Sequence, residues 1–177
     1  MSKANTTDIL VEASPGATRG LLHFQGRTYP CALGRSGIST EKREGDGATP
    51  VGTFPLRELH FRADRLTAPQ SVFSPQELRP EDGWCDAPGD PAYNRPVTLP
   101  YAASHENLWR EDHLYDVVIM LGYNDDPVVP ERGSAIFLHI GHEDLPPTEG
   151  CVAMRRTDLL QILSSATARA RVCVLAD

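Results

Sequence analysis

Ser134-Ala135-Ile136-Phe137-Leu138-His139-Ile140 is the stretch on which the reading of this chain turns. From Ala135 to Ile140 every residue except His139 is apolar, and the run has the length of a strand rather than a helix. Side chains alternate along a strand, so Phe137 and His139 share one face while Ile136, Leu138 and Ile140 share the other. A histidine held at the end of such a strand is a rigidly placed base. Twelve residues later comes Cys151, in Thr148-Glu149-Gly150-Cys151. An isolated histidine in an apolar strand is more often a hydrogen-bonded core residue, and a lone cysteine more often a small buried hydrophobe. Together they point elsewhere. A thiol becomes a strong nucleophile once a base takes its proton. A glycine before it lets a substrate approach the backbone and leaves N–H groups to face a developing oxyanion.

Outward from this pair, strands dominate. Asp8 to Ala13 is a short apolar run, and Arg19 to Gln25 and Arg27 to Leu33 form a hairpin about Gln25-Gly26. Gly34 to Thr49, rich in glycine and charge, is a loop. Val51 to Phe61 resumes as a strand in which Pro55 demands an edge or a bulge. Residues 62–100 carry seven prolines and read as a long insertion, either a wall over the active site or a flap packed on the sheet. Ser104 to Asp112 has the pattern of a short helix capped by Ser104. Leu114 to Gly122 is hydrophobic enough to be buried on both faces, and Tyr123-Asn124-Asp125-Asp126-Pro127 is a turn cluster. Thr157 is the expected cap of a helix with Leu159, Leu160, Ile162, Leu163 and Ala166 on one stripe. Arg171 to Ala176 closes the chain as a strand. The fold class is therefore mostly β: a two-sheet sandwich or partly closed barrel with short helices and a Pro-rich insertion. At 177 residues a single domain over 1–177 is the expectation.

The net charge of −7 argues against general nucleic-acid binding and against electrostatic attachment to an anionic membrane. No stretch approaches the roughly 20 apolar residues of a membrane span. Met1 to Asp8 is polar and Ile9-Leu10-Val11 is too short for the core of a signal peptide. The spacing of Cys31, Cys85, Cys151 and Cys173 matches no zinc-finger pattern. Cys31 and Cys173 read as buried thiols and Cys85 as a loop residue, with a disulfide among the three left open.

His139, Thr148, Gly150 and Cys151 together resemble the signature of the L,D-transpeptidase (YkuD-like) catalytic domain, in which a strand ends in His and, after a loop, Ser or Thr, one residue, Gly and Cys follow. A second match is Glu44-Gly45-Asp46-Gly47-Ala48-Thr49-Pro50-Val51-Gly52-Thr53-Phe54, similar to the family segment that leads into a core strand. The resemblance runs from about Leu21 to the C-terminus. It implies a periplasmic or cell-envelope enzyme without cofactor or metal, whose substrates are peptidoglycan stem peptides, one donor and one acceptor. It further implies Cys151 as nucleophile, His139 as base with the Ile140 carbonyl fixing its tautomer, Gly150 and Cys151 N–H groups as oxyanion donors, and a covalent β-lactam (carbapenem) adduct on Cys151. Thr148, Glu149, His142, Tyr123, Asn124 and Arg155 are the candidate substrate contacts. The chain departs from the family pattern in three ways. The His-to-Cys loop is short, Ile140 stands where a small residue is usual, and Ala153 replaces an arginine, a role left to Arg155 or Arg156. The short loop and Ala153, with Gly83-Trp84-Cys85-Asp86 and Tyr123-Asn124-Asp125-Asp126, look more like the alpha- and betaproteobacterial branch that joins a first-position L-Ala to diaminopimelate than like members that join two diaminopimelates.

Two other classes compete. His139 and His142, with Glu143, Asp144 or Cys151, would bind zinc only if a turn at Ile140 brought the histidines together. A non-catalytic peptidoglycan-binding module would keep the fold without needing Cys151.

Overall fold

The computed structural model describes residues 7–176. Fourteen strands and one helix follow one another: β1 (Ile9–Ala13), β2 (Arg19–Phe24), β3 (Arg27–Ala32), β4 (Ile38–Ser39), β5 (Thr49–Pro50), β6 (Gly52–Phe61), β7 (Gln76–Glu77), β8 (Asp82–Cys85), β9 (Pro96–Thr98), β10 (His105–Asn107), β11 (Val117–Leu121), β12 (Phe137–Ile140), β13 (Val152–Met154), α1 (Arg156–Ser165) and β14 (Arg171–Ala176).

The main sheet runs β11-β12-β13-β3-β2-β1-β14-β6 and closes on itself because β6 also pairs with β11; β7 is added beside β6. Closure leaves these eight strands without a free edge. The Gln25-Gly26 turn takes positive φ at both residues, 48° and 76°, the conformation whose twist matches a two-residue hairpin, and it sets the register Phe24 opposite Arg27. Pro55 lies inside the barrel wall rather than at an edge. There β6 leaves β14 for β11, next to the register shift between Ile119 and Leu121.

Strand alternation sorts the apolar residues into two layers. Ile119, Leu121, Leu138, Ile140 and Val152 point into the barrel core, joined by Leu159, Ile162 and Leu163 of α1. Val118, Met120, Phe137 and Cys151 point outward, where Leu78, Leu108, Tyr115 and Trp84 cover them. The two-sided hydrophobicity of β11 has this cause.

β8 and β9 of the insertion form a separate sheet with β10, which follows it, and this sheet packs on that outer layer with Trp84 edge-on to Phe137 at 5.4 Å. The helix expected at Ser104 to Asp112 is absent. His105, Glu106 and Asn107 pair instead with Cys85, Trp84 and Gly83, a partner some twenty residues away that local propensity does not reveal. Cys85 accordingly ends a strand and is buried. The 34–49 region contains the short parallel pair β4–β5. Arg155, not Thr157, occupies the N-cap of α1, and no side chain caps it. All four cysteines are free. No helix among the described residues is long and apolar enough to cross a membrane. The sequence reading of Met1 to Asp8 falls largely outside the described residues.

Candidate active site

β12 and β13 run parallel in the register Leu138 to Val152 and His139 to Ala153. Val152 faces the barrel core, so Cys151 one residue earlier faces outward, on the same side as Phe137 and His139. The Phe137 N–H donates to Cys151 Sγ at 3.4 Å, and the thiol points to the Ala135 carbonyl at 3.3 Å. The strand that carries the imidazole therefore also fixes the sulfur.

Glycine at position 150 is demanded by the backbone: its φ is 137°, and a Cβ there would meet Ala48 O at 2.9 Å and Ile136 Cδ1 at 3.3 Å. The Thr148 hydroxyl accepts from the Gly150 N–H at 3.1 Å and donates to the Cys151 carbonyl at 2.7 Å. These two hydrogen bonds lock the turn into which the cysteine is built. The Thr148 backbone exchanges hydrogen bonds with Leu33 O and Arg35 N, at 2.8 and 2.7 Å, which ties the turn to the end of β3.

His139 Nδ1 lies 2.8 Å from the Ile140 carbonyl. A carbonyl only accepts, so Nδ1 carries a proton. Burial pulls the His139 pKa down to about 4, against the opposing pull of the Ile140 carbonyl. Burial pushes the Cys151 thiol up to about 12, reinforced by the negative charge of Glu106 and opposed by the Phe137 N–H. Burial thus favours the neutral form of both groups at neutral pH. Tyr115 packs edge-on against the imidazole, with centroids 5.0 Å apart.

Cys151 and His139 open into one cleft of about 440 Å³, walled by Lys42, Glu44, Asp86, Glu106, Arg110 and Tyr115 among others. The profile of the L,D-transpeptidase catalytic domain, YkuD, matches residues 21–174. This chain belongs to that family. No curated protein matches it. Among solved structures, the helical cell shape determining protein Pgp2 from Campylobacter jejuni is similar at 13% identity, with 96% of this chain and 48% of that chain covered and a TM-score of 0.42. A lysine-to-alanine mutant of the same protein aligns at 14% identity, with 96% and 47% coverage and a TM-score of 0.41. The chain spans about half the length of these structures.

Within this transpeptidase-family fold, the residues nominated from sequence separate into two groups. Thr148, Glu149 and His142 line the cleft with Cys151 and His139. Glu149 pairs with Arg35 at 2.8 Å, and the Thr148 hydroxyl is occupied by the bonds described above. Tyr123, Asn124 and Arg155 do not line it. The Tyr123 hydroxyl donates to the Arg132 carbonyl, and its ring packs edge-on against Phe54. Asn124, at φ 47°, bonds to the backbone of Val129 and Gly133, so it staples its own loop. Arg155 turns to Glu143, 3.4 Å from its carboxylate. Gly150 N–H, nominated as an oxyanion donor, is held by Thr148, whereas Cys151 N–H has no hydrogen-bond acceptor outside the sheet ladder among the described residues. His139 and His142 belong to no cluster of three or more metal-ligating side chains among the described residues.

Sequence reasoning missed Glu106, Arg110, Tyr115 and Asn94. Asn94 is buried and links the insertion to the segment that leads into β12. Its Oδ1 accepts from the Ala135 N–H at 3.0 Å and from Trp84 Nε1 at 2.9 Å, while its Nδ2 donates to the carbonyls of Tyr123 and Asn124. The one signal for it was the aromatic content of the insertion, which required a packed partner.

Proposed function

We propose that this chain is a peptidoglycan L,D-transpeptidase working through a thioester on Cys151. The observation that carries the reading is the placement of His139 on β12 and of Cys151 immediately before the adjacent parallel β13, both opening into a shared cleft. The neutral resting state of both groups favours proton transfer on substrate arrival over a preformed thiolate–imidazolium pair. His139 Nε2 takes the thiol proton as Sγ attacks the carbonyl carbon of a stem-peptide bond. The Cys151 N–H is the readier donor to the oxyanion. The C–N bond breaks, the leaving amine takes the proton from His139, and a thioester remains. The amine of a second stem then attacks, gives a proton to His139, and the thiolate departs and is reprotonated.

Two stems are joined in this way in the cell envelope. The short His-to-Cys loop and Ala153 favour a link between a first-position L-Ala and diaminopimelate. A link between two diaminopimelates is the alternative, and attack by water would make the enzyme a carboxypeptidase. Incubation with purified muropeptides, followed by mass spectrometry of the products, tests all of these outcomes. Cross-linked dimer or trimmed stem is expected from the wild type and neither from Cys151→Ala or His139→Ala. A Cys151→Ala variant that retains full biological activity would instead indicate a binding module.

A further inference from the structure

The charged groups around the cleft are unequally paired. Lys42 is held by Asp46 at 2.5 Å, Glu149 by Arg35 at 2.8 Å, and Glu44 by the hydroxyls of Tyr93 and Ser134 at 2.5 and 2.8 Å. Arg110 is taken by Asp112, whose Oδ1 accepts from Nε at 3.0 Å. Glu106 is different. Tyr115 Oη donates to its Oε1, and Arg110 Nη1 lies 3.6 Å from the same oxygen. Its Oε2 has no recorded partner among the described residues, although the residue lines the cleft beside Cys151. Asp86 lines the same wall, and its Oδ1 is buried without a hydrogen-bond partner among the described residues. β8 and β10 hold the two carboxylates near each other, since Asp86 N–H bonds to Ser104 O at 3.2 Å, just ahead of the Cys85–His105 pair.

A carboxylate with one oxygen free of protein donors, next to a second whose buried Oδ1 has none, fits a cation with several N–H groups. A primary ammonium supplies three. We propose that Glu106, supported by Asp86, is the specificity-determining wall that binds a free primary ammonium on the stem peptide, so that stems bearing this charge are selected over stems in which it is acylated. The assignment rests on reading the cleft as a stem-peptide site. It also couples recognition to chemistry. Glu106 is the charge that most disfavours a thiolate at Cys151, and an ammonium placed on it offsets that charge as substrate arrives.

The test is binding, measured by calorimetry on Cys151→Ala protein so that no turnover intervenes. The ligands are a tetrapeptide stem with a free side-chain ammonium and the same stem N-acetylated at that amine. Acetylation is expected to weaken binding at least about tenfold in Cys151→Ala, the range of a charge-assisted hydrogen bond, and less than about twofold once Glu106→Gln is added. An equal acetylation penalty with and without Glu106→Gln overturns the proposal, as does absence of binding of the free stem. Should Glu106→Gln fail to fold, Asp86→Asn carries the same comparison, with a reduced penalty supporting the proposal and an unchanged one overturning it. Failure of the transpeptidase reading shows separately, as a wild-type protein that binds the stem with this discrimination and yields neither product nor acyl adduct.

Discussion

Tyr115 stands with its ring at 76° to the His139 imidazole, centroids 5.0 Å apart, and its hydroxyl reaches back to Glu106. The ring limits rotation of the imidazole about the bond that His139 makes to Ile140. Tyr115→Phe keeps that ring contact and removes only the donor to Glu106, so a stability loss of about 1–3 kcal/mol is expected with acylation slowed only a few-fold. Tyr115→Ala empties a buried site and is expected to cost about 3–5 kcal/mol and to slow acylation far more. Urea unfolding and single-turnover acylation measure both; a Phe variant as slow as the Ala variant would remove the ring's positioning role.

Stability is expected to fall on both sides of neutrality. His139 has a folded pKa of about 4, below its ordinary 6.5, so the unfolded chain binds this proton first. The stabilisation is complete above pH 6.5 and is lost as pH falls toward 4, by up to about 3 kcal/mol. Cys151 and Cys31, pushed up by burial to about 12 from 9.0, act in the opposite direction and withdraw stability as pH rises from 9 to 12. Asp46 and Asp112, held below their ordinary values, titrate below this acid window, whereas Glu106, raised above 4.5 by burial, works against His139 at its lower end. Chemical denaturation across pH should show the acid limb flattening between 6.5 and 4 in His139→Gln.

Gly150→Ala should be severe. The new Cβ meets the Ala48 carbonyl at 2.9 Å, and φ of 137° is a region L-residues avoid. A loss of at least about 2 kcal/mol is expected, with carbapenem acylation of Cys151, read by intact mass, falling well below wild type. Normal acylation would show that the turn tolerates a shifted backbone.

Thr148→Val removes the hydroxyl that joins the Gly150 N–H to the Cys151 carbonyl. About 1–3 kcal/mol of stability is expected to go with it. Because the hydroxyl is occupied within the turn, kcat should fall while KM stays near wild type, and Thr148→Ser should restore both. A rise in KM alone would instead mark Thr148 as a substrate contact.

The barrel strands were legible because each depends on short-range pattern. Alternation along β12 put Phe137 and His139 on one face, and the Gln25-Gly26 turn fixed its hairpin. The cleft wall was not legible. Glu106 enters it only because His105–Asn107 pair with Gly83–Cys85, a contact that the helix-like composition of 104–112 conceals. Tyr123, Asn124 and Arg155 were nominated by nearness in sequence. Their side chains satisfy backbone or carboxylate groups nearby, and nothing in a linear sequence reports that competition.

Phe137 N–H grips the sulfur from the same strand that presents the imidazole, while Glu106, Arg110 and Tyr115 come from the stretch between β9 and β11. Under the proposed function, the bond-making parts and the choosing parts sit on separable pieces of chain. Grafting a different segment onto the outer layer should retune which peptides are accepted and leave the thiol chemistry standing.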